Sequence, residues 1–263
     1  MVQFADLTYR EIEHLAEQGC LALVPTGCTE QQGPHLPVSF DTWLVDVIAR
    51  AAADEASSLG FCVLVLPVMP FGPTPEHRGF GSGYIDLPRD LHEAVIEHVL
   101  SSLADQGFRR IVVWRGCGGH DLHQAVIRFN EQHAGQAKAF VPDLPYHAIW
   151  CRVGDPSNPG GHADAFATSL ALHLRPEMVR RELIANLPQK PVDWDDPKLD
   201  FAHYSASGVI GDPTQASPER CRRGRSHRVP ARQSDVGHIR IEHRNAFSVG
   251  RIFSRDSRMH LRR

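Results

Sequence analysis

Cys20-Leu-Ala-Leu-Val-Pro-Thr-Gly-Cys-Thr-Glu-Gln-Gln-Gly-Pro-His-Leu-Pro37 joins two kinds of chain. Residues 20–25 are a short, uninterrupted apolar run, the pattern of a strand buried on both faces. Residues 26–40 are rich in Gly, Pro and polar groups. Asp41 then opens a segment with apolar residues at 44, 45, 47, 48 and 52, a helical spacing. The same strand, loop and helix order returns twice. Residues 61–66 read as a strand, 67–88 as a loop and 90–105 as an amphipathic helix. Residues 111–114 read as a strand, followed by Arg115-Gly-Cys-Gly-Gly-His120 and a helix to about 132. A helix capped by Asp6 or Thr8 precedes the first strand. A short strand over 137–141 and a helix over 161–174 follow the third. Strands alternating with helices predict βαβ units, hence an α/β fold whose mostly parallel sheet is covered on both faces. In such folds the loops after the strands converge on one crevice.

Composition agrees with an ordinary globular chain. The 263 residues are 42 % apolar and 22 % charged, which excludes disordered, collagenous and coiled-coil classes. The longest apolar run, 61–69, is strand-length, so no membrane span is expected. The N-terminus shows no basic segment followed by an apolar core, and no secretory signal is read there. Six scattered cysteines without a Cys-x-x-Cys motif suggest reduced thiols and a cytoplasmic protein. Sixteen histidines supply many bases and ligands.

Three loops and one helix start carry the chemistry. The first loop offers Glu30 and His35, with Asp41 at the helix start. Glu30 also reads as a solvated charge and Asp41 as an N-cap. Cys117 and His120, three residues apart after the third strand, are ligand types for one borderline-soft ion such as Zn²⁺, although a structural Cys beside a capping His fits too. Glu76 and His77 lie in the middle loop, as a pair that acts in the crevice or braces the loop. His162 and Asp164 open the last helix, where an acid is also normal dipole chemistry.

Five ordered segments resemble motifs of the creatininase family. They are Gly27-Cys-Thr-Glu-Gln-Gln-Gly-Pro-His-Leu-Pro with Asp41, Phe71-Gly-Pro-Thr-Pro-Glu-His77, Arg115-Gly-Cys-Gly-Gly-His120, His162-Ala-Asp-Ala-Phe-Ala-Thr-Ser169 and Gly208-Val-Ile-Gly-Asp-Pro213. The resemblance implies a three-layer α/β/α hydrolase, often hexameric, with divalent metal. Three positions depart from the family pattern: Gln32 and Cys117 stand where it has metal-binding histidines, and Ala167 where it has a glutamate. Cys117 is itself a ligand type, His120 is an added one, and Asp164 lies one helical turn before Ala167 on the same face. A rebuilt centre is therefore expected, with Glu30, Asp41, Cys117, His120 and Asp164 as metal ligands. A thiolate favours Zn²⁺, with Mn or Fe as alternatives.

His162 resembles the family's proton-shuttling histidine. Glu76 and His77 complete the expected catalytic set, and Gln32, His35, Arg115 and Trp150 the substrate-binding set. The implied reaction is metal-assisted opening of a small cyclic substrate: a cyclic amide, a lactone or an oxidised inositol such as 3-dehydro-scyllo-inosose. Two other readings remain open, a non-catalytic assembly or regulatory subunit and a metal-free hydrolase using Cys117 as nucleophile.

The C-terminal segment is of another kind. Residues 221–263 hold twelve arginines, no lysine and three acids, a net +9. The remaining 16 bases and 28 acids give residues 1–220 a net −12. The expected organisation is one hydrolase domain over 1–220 and an Arg-rich tail or arm over 221–263. No nucleic-acid motif accompanies the arginines, and the acidic remainder would repel phosphates. Neither nucleic acid nor a membrane is expected as a partner, and a homo-oligomer is.

Overall fold

The computed structural model describes residues 2–144, 146–157 and 160–223. Five strands form one parallel sheet in the order β1-β3-β2-β4-β5. They are β1 (Val2–Gln3), β2 (Leu21–Thr26), β3 (Val63–Val65), β4 (Arg110–Arg115) and β5 (Lys138–Phe140). The helices are α1 (Tyr9–Glu17), α2 (Phe40–Ser58), α3 (Arg89–Asp105), α4 (His123–Gln132), α5 (Tyr146–Val153), α6 (Ala165–Leu174) and α7 (Pro218–Arg223).

The continuous apolar runs follow from burial on both faces. On one face Ala22, Val24, Leu64, Ile111 and Val113 meet Ile12 of α1, Ile96 and Leu100 of α3 and Phe129 of α4. On the other, Leu23, Val63, Val65, Val112 and Trp114 meet Val45, Ala49, Ala52 and Ala56 of α2. This is the three-layer α/β/α arrangement. The outer side of α2, through Phe40 and Leu44, packs on Leu170 and Ala171 of α6.

Local chemistry sets the helix starts. Thr8 and Glu11 form a reciprocal capping box on α1. Asp164 caps α6, so that helix begins later than the expected 161. Two elements were not expected. β1 is only two residues long, and α5 is a short helix of eight residues, though Tyr146, Ile149, Trp150 and Val153 follow a helical spacing.

Cys20 and Cys62 form a disulfide, against the expectation of six separate thiols. Parallel pairing explains it. The Leu21 N–H donates to the Cys62 carbonyl at 3.0 Å, which holds the two Cα atoms 4.7 Å apart, within bridging range. No helix among the described residues is long and apolar enough to cross a membrane. The expected tail is met only at its start. Helix α7 runs through residue 223, and Cys221 packs in the core beside α6. Residues 224–263 lie outside the described residues.

Candidate active site

β2 and β4 end side by side, Thr26 in register with Arg115. Their loops therefore start from the same place at the carboxyl edge of the sheet. The β2 loop brings Cys28, Glu30, Gln31 and Gln32, the first turn of α2 brings Asp41, and the β4 loop brings Cys117 and His120. Glu76 and His77 come from the short 3₁₀ helix Pro75–Phe80. His162 is held by paired backbone hydrogen bonds with Ile210, and its neighbour Ala163 sits at φ +50°, a rare conformation for a residue with a side chain.

Three overlapping groups of ligand-type atoms result. Those of Cys28, Glu30, Asp41 and Cys117 all lie within 4.8 Å of one another. The same holds for Cys28, Cys117 and His120, and for Glu30, His77 and His162. The Cys28 thiol donates to Asp41 Oδ2 at 3.1 Å, and the Cys117 thiol lies 3.8 Å from Glu30 Oε2. The Gln32 amide donates to both Glu30 Oε1, at 3.2 Å, and Asp41 Oδ2, at 3.0 Å. His120 is 1 % exposed and neither ring nitrogen meets a hydrogen-bond partner of good geometry. Its ring fills the space left by Gly72, where a Cβ would collide with it. A buried polar group left unpaired is costly and calls for a partner.

Burial dominates the electrostatics. It pushes the Glu30 carboxyl up to about 7, partly offset by hydrogen bonds from Cys28, Asp41 and Cys117. It also raises Asp41, as does the neighbouring Glu30 charge. For Cys117 the Cys28 hydrogen bond pulls downward. Burial and the two carboxylates outweigh it and bring the thiol up to about 12. His162 is held down to about 3 by burial, then by His77. Two carboxyls and two thiols crowded into a dry site are the environment that a divalent ion relieves.

Asp164 stands outside these groups. Its Oδ1 accepts from the Phe166 and Ala167 N–H groups and its Oδ2 from the Trp150 indole at 2.8 Å. Both oxygens are spent on the cap and on Trp150, whose ring stacks on Phe166 at 4.2 Å. His35 is also turned away. It is fully buried, with Nε2 2.8 Å from the Thr168 hydroxyl. Arg115 donates to the His120 carbonyl at 3.2 Å and lies over the Tyr146 ring. Glu76 Oε1 lies 3.9 Å from His77 Nε2.

Sequence reasoning passed over Cys28, Gln31 and Phe201. Cys28 precedes Glu30 by two residues, a spacing that puts both on one side of an extended chain. Phe201 packs edge-on against His77 at 5.2 Å and near His162 at 5.4 Å, from a segment with no chemical signature.

The family model for creatininase, described as creatinine amidohydrolase, matches residues 5–230. The chain belongs to the creatininase family. The 3-dehydro-scyllo-inosose hydrolase of Thermotoga maritima is 28 % identical over 255 residues, 85 % of this chain and 78 % of that protein. The mycofactocin precursor peptide peptidase of Mycobacterium tuberculosis is 31 % identical over 212 residues, 76 % and 78 % of the two chains. A Zn–Zn form of a glutamate-to-glutamine variant of creatininase superposes with a TM-score of 0.68 at 23 % identity, covering 83 % of this chain and 90 % of that one. The fold is thus that of creatininase, and the chain is a hydrolase of this family.

Proposed function

We propose that this hydrolase is metal-dependent and opens a small cyclic substrate, with an oxidised inositol such as 3-dehydro-scyllo-inosose as the leading candidate and cyclic amides or lactones as the other members of the class. The observation that carries the reading is the gathering of the ligand atoms of Cys28, Glu30, Asp41 and Cys117 within 4.8 Å of one another, with His120 buried beside them. Bonds of about 2.3 Å to sulfur and about 2.1 Å to oxygen place tetrahedral ligand atoms about 3.4–3.8 Å apart. The Cys28–Asp41 and Cys117–Glu30 spacings of 3.1 and 3.8 Å lie near that range. The donor set fits Zn²⁺ better than Mg²⁺, because thiolates are soft ligands. When bound, such an ion supplies Lewis acidity and brings the pKa of water toward about 7.

The protein's own groups do the rest. Glu30 and Asp41 would hold the ion and would take up a proton from water. His162, 3.6 Å from Glu30, stands where it can carry a proton to the leaving group. Phe201 gives the ring substrate an apolar wall beside both histidines. In a ring with two carbonyls flanking one carbon, water oxygen adds to one carbonyl carbon and the adjacent carbon–carbon bond breaks. The released electron pair is delocalised into the second carbonyl, and the flanking carbon takes the proton. A small-molecule substrate and a homo-oligomeric assembly belong to the same reading. The elevated Cys117 thiol weighs against a metal-free cysteine nucleophile.

The test is metal content and turnover on one preparation. Elemental analysis is expected to find near-stoichiometric zinc. NMR is expected to show a ring-opened acid from 3-dehydro-scyllo-inosose, with activity lost on chelation and restored by zinc. Creatinine and a mycofactocin precursor peptide serve as competing substrates. Metal-free protein inert toward all three points to the non-catalytic subunit instead.

A further inference from the structure

Gln31 sits between two histidines and two backbone groups, and each contact has a fixed polarity. The Gly33 N–H can only donate, and it donates to Gln31 Oε1 at 2.8 Å. The Gly208 carbonyl can only accept, and it accepts from Gln31 Nε2 at 3.1 Å. These two bonds decide which end of the amide is oxygen. Gln31 Nε2 also lies 3.0 Å from His77 Nδ1, so its second hydrogen is donated there. His77 Nδ1 is then an acceptor, and the ring proton sits on Nε2. That Nε2 faces Glu30 Oε2 at 3.5 Å.

The Gln31 backbone treats His162 in the opposite sense. Its carbonyl accepts from His162 Nε2 at 2.5 Å, which leaves the lone pair on Nδ1. That Nδ1 faces the other Glu30 oxygen at 3.6 Å. The two rings are 4.6 Å apart. Gly208, at φ +79°, makes room for the amide, since a Cβ there would collide with it.

We propose that Gln31 is a positioning residue that sets two histidines in opposite senses about Glu30, so that His77 presents an N–H and His162 presents a lone pair. A nitrogen that carries a proton has no lone pair for a metal. His77 Nε2 is therefore a hydrogen-bond donor to Glu30 or to substrate rather than a ligand. What the pair does for substrate rests on the hydrolase reading; the tautomers do not.

The experiment is ¹⁵N magic-angle-spinning NMR on the full chain labelled at histidine, with His77→Asn and His162→Asn difference spectra for assignment. Both rings are expected to show a protonated Nε2 and an unprotonated Nδ1. Gln31→Glu puts an oxygen where the amide nitrogen faces His77. In that variant His77 Nδ1 is expected to become protonated, while His162, held by the backbone, keeps its tautomer. A protonated His77 Nδ1 in the unsubstituted protein overturns the proposal whether or not the variant folds. So does an unchanged His77 signal in a folded Gln31→Glu variant. Metal content measured on the same sample separates the two readings: the expected tautomers in a metal-free, inactive protein keep this proposal and end the metal-dependent one.

Discussion

Gln32 stands where the family pattern has a histidine, and its amide donates to Glu30 and Asp41 together. Those hydrogens fill the place between two carboxylates that a second cation would fill. On the metal-dependent reading proposed above, one ion per chain is expected, at the sulfur end. Elemental analysis is expected to give about one metal per chain in the unsubstituted protein and in Gln32→Ala, and none in Cys117→Ala. Gln32→His, which returns a ligand to that place, is expected to raise the count toward two. Full metal retention in Cys117→Ala would sink the sulfur-end assignment. At His162, replacement by Asn removes the proton carrier and leaves the ligand cluster intact. Turnover is expected to fall about 10²–10⁴-fold with metal content unchanged, and unchanged turnover would make His162 structural. At this scale Glu30, Asp41, Cys117 and His120 could be singled out because their side chains announce ligand chemistry, although Cys28, of the same type, escaped notice. Gln31 could not, because an amide means nothing until its partners are known.

Helix α6 shows how an element takes up a residue that reads as functional. Asp164 shares a helical face with Ala167, and sequence alone lets it replace the absent glutamate. Its φ,ψ are those of an N-cap, and the first-turn N–H groups claim the carboxylate. Asp164→Ala is therefore expected to cost about 1–2 kcal/mol in a denaturant titration, with metal content unchanged. Loss of metal without loss of stability would restore Asp164 as a ligand. His35 braces the same helix through Thr168. Burial holds its pKa down to about 4 against 6.5 in an open chain. The folded state keeps the ring neutral while the unfolded state binds a proton below 6.5. The stability this group contributes is thus complete above 6.5 and is lost as pH falls from 6.5 toward 4. The shift corresponds to about 3 kcal/mol. His35→Gln is expected to be less stable than the parent at pH 7 and to decline less steeply between pH 6.5 and 4 in thermal melts. Parallel curves would show that the ring does not titrate on unfolding.

Across the whole molecule, the sheet was legible because β2, β3 and β4 are buried on both faces and read as plain apolar runs. Strand order was not, since it depends on which runs pair, and β1 is too short to carry a pattern. The end of the hydrolase domain lies between these cases. Ser217 and Pro218 give a readable helix start, and periodicity stops after Cys221. The structure shows what this last turn does: Cys221 is 5 % exposed against α6, the Ser217 N–H donates to Ser169, and Arg220 donates to the Gly154 carbonyl. Those contacts join α7 to α6 and to Gly154 just after α5. The hydrolase domain is therefore expected to end near residue 223, which the following truncations test. A chain ending after residue 223 is expected to keep its melting temperature, metal content and oligomeric state. One ending after Ala216 exposes the apolar side of α6 and is expected to melt several degrees lower. Differential scanning calorimetry and light scattering on the two truncations decide it. A change of assembly in the longer one would show that the Arg-rich segment is a subunit contact and would move the domain boundary past 223.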